Sequence, residues 1–138
     1  MEKSHPPGEL VARMFETDYF SQWLGIEIVE TGLGTCRLSM KVRKEMLNGF
    51  GVLHGGVTFS LADSALAFAS NSHGRISVAL DASMSFPAPS REGDVLTAVA
   101  EELSLTDKTG LYLITILNQD NKKIGVFKGT VYRTNRSL

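Results

Sequence analysis

Between Met46 and Ser72 the chain carries one formal charge, Asp63, in a segment, MLNGFGVLHGGVTFSLADSALAFASNS, that otherwise reads as a glycine-rich turn entering an apolar helix. A carboxylate there can take a proton from water or attack an electron-poor carbonyl carbon. Burying one unpaired costs several kcal/mol, so a helix built for packing alone would more easily carry an uncharged residue. A solvated or salt-bridged structural Asp is the competing reading. Gly55 and Gly56 fall where that helix begins, and first-turn N–H groups have no acceptor inside a helix. With the macrodipole they favour negative charge. Glycine also lets a ligand close on the backbone, as an oxyanion hole for a tetrahedral acyl intermediate requires. The plainer role of the pair is the turn itself. His54 is either an acid-base group or a hydrogen-bonded structural histidine. Asn48 either holds a carbonyl or water through its amide or closes an Asx turn beside Gly49.

Positions 55 and 63 are eight residues apart, which at a rise of ~1.5 Å per residue separates their backbones by roughly 12 Å along one helix. Oxyanion donors and the attacking group must both lie within about 3 Å of the reaction centre, so one helix cannot serve both. Two copies laid antiparallel across a two-fold axis set Asp63 of one against Gly55 of the other, giving shared sites in a homodimer. Ser60, Ser64 and Ala67 are small enough for close helix approach, and equally suited to packing beneath a sheet. Burial raises the pKa of Asp63, while a facing helix N-terminus and Asn48 lower it, so an ionised carboxylate near neutral pH is expected. It then either attacks directly, giving a mixed anhydride, or activates water.

The elements that must position these groups follow from periodicity. Residues 8–24 place Leu10, Val11, Met14, Phe15, Phe20 and Trp23 at helical spacings after Pro6-Pro7, predicting a short amphipathic first helix. Residues 25–31 and 35–42 read as strands, the second alternating Cys36, Leu38, Met40 and Val42 against Arg37, Ser39 and Lys41. After the central helix, residues 75–86 set Ile76, Val78, Leu80, Ala82, Met84 and Phe86 on one side and Ser77, Ala79, Asp81, Ser83 and Ser85 on the other. Pro87-Ala88-Pro89 ends that strand, and residues 95–105, 111–118 and 123–133 follow as strands joined by polar turns. Such short connections specify antiparallel pairing. A helix apolar nearly all round must be covered on most sides, which a curved antiparallel sheet wrapped about it achieves, with a partner subunit covering the rest. The expected class is α+β, a single domain over residues 1–138 with an N-terminal helical segment at 1–24.

Composition narrows the function classes. At 43% hydrophobic and 21% charged the chain suits a globular domain. A net charge of −1 with scattered Lys and Arg gives no field to hold a polyanion, so nucleic acid is not an expected partner. Cys36, the one cysteine, sits on an alternating run as a core residue of a reducing cytoplasm would. MEKSHPPGEL lacks the apolar core of a signal peptide, and Val57 to Ala69 is too short to span a bilayer, so cytoplasmic location without membrane contact is expected. The three His residues and Cys36 show no metal-ligand spacing, and no metal is expected. Phe59, Phe68, Phe86 and Trp23 either line an aromatic pocket or fill the core.

With these residues in place the chain resembles hotdog-fold acyl-CoA thioesterases of the PaaI type, the group named for phenylacetate degradation. The matching residues are Leu47-Asn48-Gly49, His54-Gly55-Gly56, Phe59-Ser60-Leu61-Ala62-Asp63-Ser64-Ala65 and Ala69-Ser70-Asn71, continuing through Asp81 to Pro89 and Gly93-Asp94. The resemblance implies dimers that assemble into a homotetramer, and hydrolysis of a small aromatic (phenylacetyl-type) or medium-chain acyl-CoA to free acid and CoA. It implies Asp63 as nucleophile or base, Gly55 as oxyanion donor and Asn48 as carbonyl or water holder, with His54, Gly56, Phe59 and Ser64 beside the substrate. No cofactor is implied, CoA being part of the substrate. Some relatives carry Ser or Thr on the strand after the helix to hold the attacking group; the equivalent here is Ala79, so water or Ser77 substitutes or that help is absent. Two other readings use the same residues: an enoyl-CoA hydratase or dehydratase working through His54 and Asp63, and a non-catalytic acyl-CoA-binding protein.

Overall fold

The structure, a computed structural model, describes residues 5–138; residues 1–4 of the expected N-terminal segment lie outside the described residues. The single helix expected over residues 8–24 is two, α1 (Pro7–Glu16) and α2 (Tyr19–Trp23). The break is local chemistry: Asp18 leaves helical geometry at φ −87° and ψ 75° and accepts the Ser21 N–H, capping a new helix. The chain continues as β1 (Glu27–Gly32), β2 (Thr35–Lys41), a 3-10 turn (Lys44–Met46), α3 (Gly55–Asn71), β3 (Arg75–Ser85), β4 (Val95–Leu105), β5 (Thr109–Leu117) and β6 (Lys123–Ser137).

The strands form one antiparallel sheet in the order β1-β2-β4-β5-β6-β3, so β1 and β3 are its edges. This is the hotdog architecture: α3 lies against the sheet, touching β2 through β6. Its inner face, Leu61, Ala62, Ala65, Leu66, Phe68 and Ala69, is buried with Leu38, Met40, Leu96, Ile114, Ile116 and Phe127. Gly129 makes room for the helix, because a Cβ there would come within 2.8 Å of Leu66. Cys36 is buried on β2 as the alternation predicts, its Sγ donating to Ala65 O at 3.4 Å. Burial pushes that thiol up to about 12, which leaves it a core residue rather than a nucleophile. No helix among the described residues is long and apolar enough to cross a membrane.

β3 is the strand its alternation predicts, yet its apolar side is not a covered one: Val78 and Leu80 are 49% and 60% exposed while Ser77 is buried. The cause is topological: among the described residues β3 pairs with β6 alone, its register slips between Arg75 and Ser77 and between Ala79 and Asp81, and no described element covers its outer half.

Candidate functional site

A tight loop delivers the chain to α3. Asn48 Oδ1 accepts the Phe50 N–H at 2.9 Å and the Val52 N–H at 3.3 Å, while Asn48 N–H donates to Val52 O at 2.8 Å. Gly51 supplies the positive φ of 79° that the turn needs, and Phe50 stands 93% exposed at its tip. The Asx turn therefore exists, and it consumes only the amide oxygen. Asn48 Nδ2 has no acceptor among the described residues and stays available to a ligand.

His54 caps α3, its Nδ1 accepting the Gly56 N–H at 2.9 Å. A neutral ring held this way carries its proton on Nε2. The two glycines are thereby distinguished: Gly56 N–H is spent on the cap, whereas Gly55 N–H has no acceptor among the described residues. Gly55 borders a cleft of 260 Å³ with Leu53, Thr58, Phe86, Ala88 and Ile124. A Cβ at Gly55 would lie 3.3 Å from the Phe86 ring, so the glycine keeps the approach open.

Asp63 lies one helix face away from the core. Positions 62, 65, 66 and 69 point into the sheet, so the helical period turns Gly56, Phe59 and Asp63 outward, and all three are exposed. Within one protomer Asp63 is not buried, contrary to expectation, and it has no hydrogen-bond or salt-bridge partner among the described residues. Partial desolvation by its surroundings, with a smaller repulsion from Asp18, still raises its carboxyl above the ordinary aspartate value. Ser60, half-buried on the same stripe, donates to Gly56 O at 2.8 Å.

The remaining expected site residues divide. Phe59, 37% exposed, sits edge-on to Phe127 at 5.1 Å with part of its ring outside. Phe68 is wholly core, and Phe86 is 52% exposed beside Gly55. Ser64 does not reach the outer stripe: it is 8% exposed, and its Oγ bonds Ser21 Oγ at 2.7 Å because position 64 faces α2. Ser77 is committed too, its Oγ to Arg75 O at 3.2 Å and its N–H to Asn71 Oδ1 at 2.9 Å. Trp23 lies on the surface under Arg43, whose guanidinium is 4.9 Å from the ring centre. Asp18 and Ser21, which adjoin Asp63 through Ser64, were not singled out from the sequence; the legible signal was an Asp at a helix N-cap position. No group of three or more His, Cys, Asp or Glu among the described residues could hold a metal ion.

The Thioesterase superfamily model matches residues 50–124. The acyl-coenzyme A thioesterase PaaI of Escherichia coli is 39% identical over 94% of this chain and 93% of its own. Its structure, described as from the phenylacetic acid degradation operon, superposes with a TM-score of 0.94 at 38% identity, covering 99% of each chain. A protein of Archaeoglobus fulgidus described as an esterase is 43% identical over 91% of this chain and 81% of its own. A Streptococcus pneumoniae thioesterase solved with coenzyme A superposes at a TM-score of 0.85 and 26% identity, covering 91% of this chain and 98% of that one. The chain belongs to the thioesterase superfamily, as a hotdog-fold thioester hydrolase of the PaaI group.

Proposed function

We propose that the protein hydrolyses acyl-CoA thioesters at sites shared across a homodimer, with Asp63 from one copy and the Gly55 N–H from the other. The observation that carries this reading is the unfinished face: a free Gly55 donor, an unpaired Asp63 and the exposed apolar strand β3 all lie on surface the chain does not cover. α3 is one unbroken helix from Gly55 to Asn71, so the roughly 12 Å between donor and acid persists within a protomer. A second copy pairing with the open edge of β3 would continue the sheet and bring the two α3 helices alongside.

In this arrangement the thioester oxygen accepts the Gly55 N–H while Asp63 takes a proton from water attacking the carbonyl carbon. The C=O π electrons move to oxygen, and the oxyanion is held at the helix N-terminus. Collapse breaks the C–S bond, and the leaving thiolate takes the proton from Asp63. A carboxyl raised toward neutrality is the better base, which favours activation of water over direct attack. Asn48 Nδ2 is placed to orient water or carbonyl. The carboxylate and amides supply the chemistry without a resident cofactor.

The PaaI relative and its operon support a small aromatic, phenylacetyl-type acyl group or a medium chain, with Phe59 and Phe86 as apolar walls. The relative holding coenzyme A supports the CoA half. The reading extends to pairing of dimers into a homotetramer, and to the cytoplasmic location that a lone buried thiol favours. A hydratase working through His54 is disfavoured, because its Nδ1 is already an acceptor for Gly56 N–H.

The test uses two inactive variants. Asp63→Asn removes the base. Gly55→Pro removes the donor at the first helical position, where proline is tolerated. Each alone loses thiol release from a panel of acyl-CoA esters. Unfolded, mixed and refolded together, they regain roughly a quarter of the wild-type activity, since half the dimers are mixed and each mixed dimer holds one intact site. Absence of recovery, with mixed dimers demonstrated, sinks the shared site.

A further inference from the structure

The short helix α2 (Tyr19–Trp23) is tied to α3 by a buried polar chain. Asp18 Oδ1 accepts the Ser21 N–H at 3.1 Å, and Oδ2 accepts the Ser21 Oγ–H at 2.6 Å. With that proton engaged, Ser21 Oγ accepts from Ser64 Oγ at 2.7 Å. Ser21 and Ser64 are 1% and 8% exposed, and Ser64 adjoins Asp63 in the chain. Five residues of helix have too little intrinsic stability to stay docked unaided, so these bonds fix where α2 sits.

We infer that Asp18 is a positioning residue for Asp63: through Ser21 and Ser64 it clamps α2 against α3 and holds a second negative charge beside the catalytic carboxylate. The inference rests on Asp63 acting as the base, as proposed above. Its consequence is electrostatic. A like charge nearby makes a carboxylate hold its proton more tightly without touching it, and Asp18 is the charge that bears on Asp63 in this sense. From α1, Arg13 lines the same 470 Å³ cleft as Asp18 and is itself bonded to Glu9 at 2.9 Å. α3 carries no other charged side chain, and no described charge from the sheet bears on Asp63. Across the proposed two-fold the facing groups are the α3 N-terminus and His54 of the second copy. Asp63 must be ionised to act, so the rate falls as pH drops through its raised value. Removing the Asp18 charge moves that acid limb to lower pH.

Asp18→Asn tests this cleanly, because asparagine caps a helix as well as aspartate does and its amide can donate to Ser21 Oγ while the carbonyl keeps the Ser21 N–H. The acid limb of kcat/KM should move down by about half a pH unit, with KM on the plateau changing less than ~2-fold. Carbon NMR titration of the Asp63 carboxyl should shift by the same amount, independently of turnover. Ser21→Ala, which cuts the Oγ link from Asp18 to Ser64 but leaves the Ser21 N–H on Asp18 Oδ1, should move the limb in the same direction by a smaller amount. Asp120→Asn, which removes a charge in the β5–β6 turn, should leave it in place. An unmoved limb and carboxyl titration in Asp18→Asn, or an equal shift in Asp120→Asn, overturns the inference. Hydrolysis retained by Asp63→Asn would instead remove the assignment of the base, so the two failures are separable.

Discussion

β1, at one edge of the sheet, spans six residues, carries Glu27 and Glu30, bulges between Ile28 and Glu30 and lies against α1, whereas β3, at the other, runs eleven residues with Val78 and Leu80 turned to solvent. Short length, charge and a bulge are the devices that stop an edge from recruiting another strand. β1 has all three. β3 has two register slips of its own, but its length and exposed apolar side chains make it the edge suited to the proposed partner. The proposed reactive groups follow the same division: Asp63 lies on the outer stripe of α3 with Gly56 and Phe59, Gly55 opens on the cleft beside Phe86, and the inner stripe is finished within the chain. The protomer is therefore complete on one side, and the proposed chemistry sits on the other.

The largest effect expected is at the acid itself. Asp63→Asn should lower turnover by at least ~100-fold, the scale of losing an essential general base, while sedimentation shows the wild-type assembly. Intact assembly without activity would separate the chemistry of the open side from its role in association.

Next comes a direct contrast of the edges. Leu80→Lys combined with Val78→Lys should shift the protein toward monomer in sedimentation, with turnover falling in step as protein is diluted, because ammonium groups do not survive burial in a paired edge. Val29→Lys, at a residue 58% exposed on β1, should leave assembly unchanged and turnover within about 2-fold. Equal effects at the two edges would erase the distinction between them.

The smallest effect contrasts two carboxylates. Asp94, at the start of β4, accepts the Arg91 N–H, Gln119 Nε2–H and Ser90 Oγ–H, each at 2.9 Å, and these donors hold its carboxyl below the ordinary range. A depressed folded value means the ionised form is favoured by folding. The stability it contributes is full above the unfolded value of about 3.9 and is lost as pH falls through the folded value. Asp94→Asn should lower the melting temperature by at most a few degrees near neutral pH, and the gap to wild type should close as pH falls through the depressed folded value. Asp63, with its proton held more tightly than usual and no donors among the described residues, is the opposite case.

Much of this was legible before the fold. β2 alternates as Cys36, Leu38 and Met40 buried against exposed Arg37 and Lys41, and the strand limits fall close to those the turns predict, β6 alone running on to Ser137. The segment from Asn48 to Asp63 could be singled out because a lone carboxylate in an apolar run is costly as packing alone, and the glycine pair gained meaning from its place at the start of the same helix. The break at Asp18 was missed because the apolar positions on either side keep helical spacing, and a cap overrides spacing locally. Ser64 was placed beside the substrate because it adjoins Asp63, but adjacent helix positions differ by about 100° and face different neighbours.

The sequence by itself determined the strands and the central helix, the antiparallel sense of the hairpins and the eight-residue interval between Gly55 and Asp63, since turn residues and periodicity are local properties. Only the tertiary structure decided that β3 is an edge, that Gly56 N–H and Ser64 Oγ are spent inside the chain, and that Asp63 is exposed within one protomer. The physical reason is that a period tells which side chains share a face, whereas what covers that face depends on partners distant in the chain.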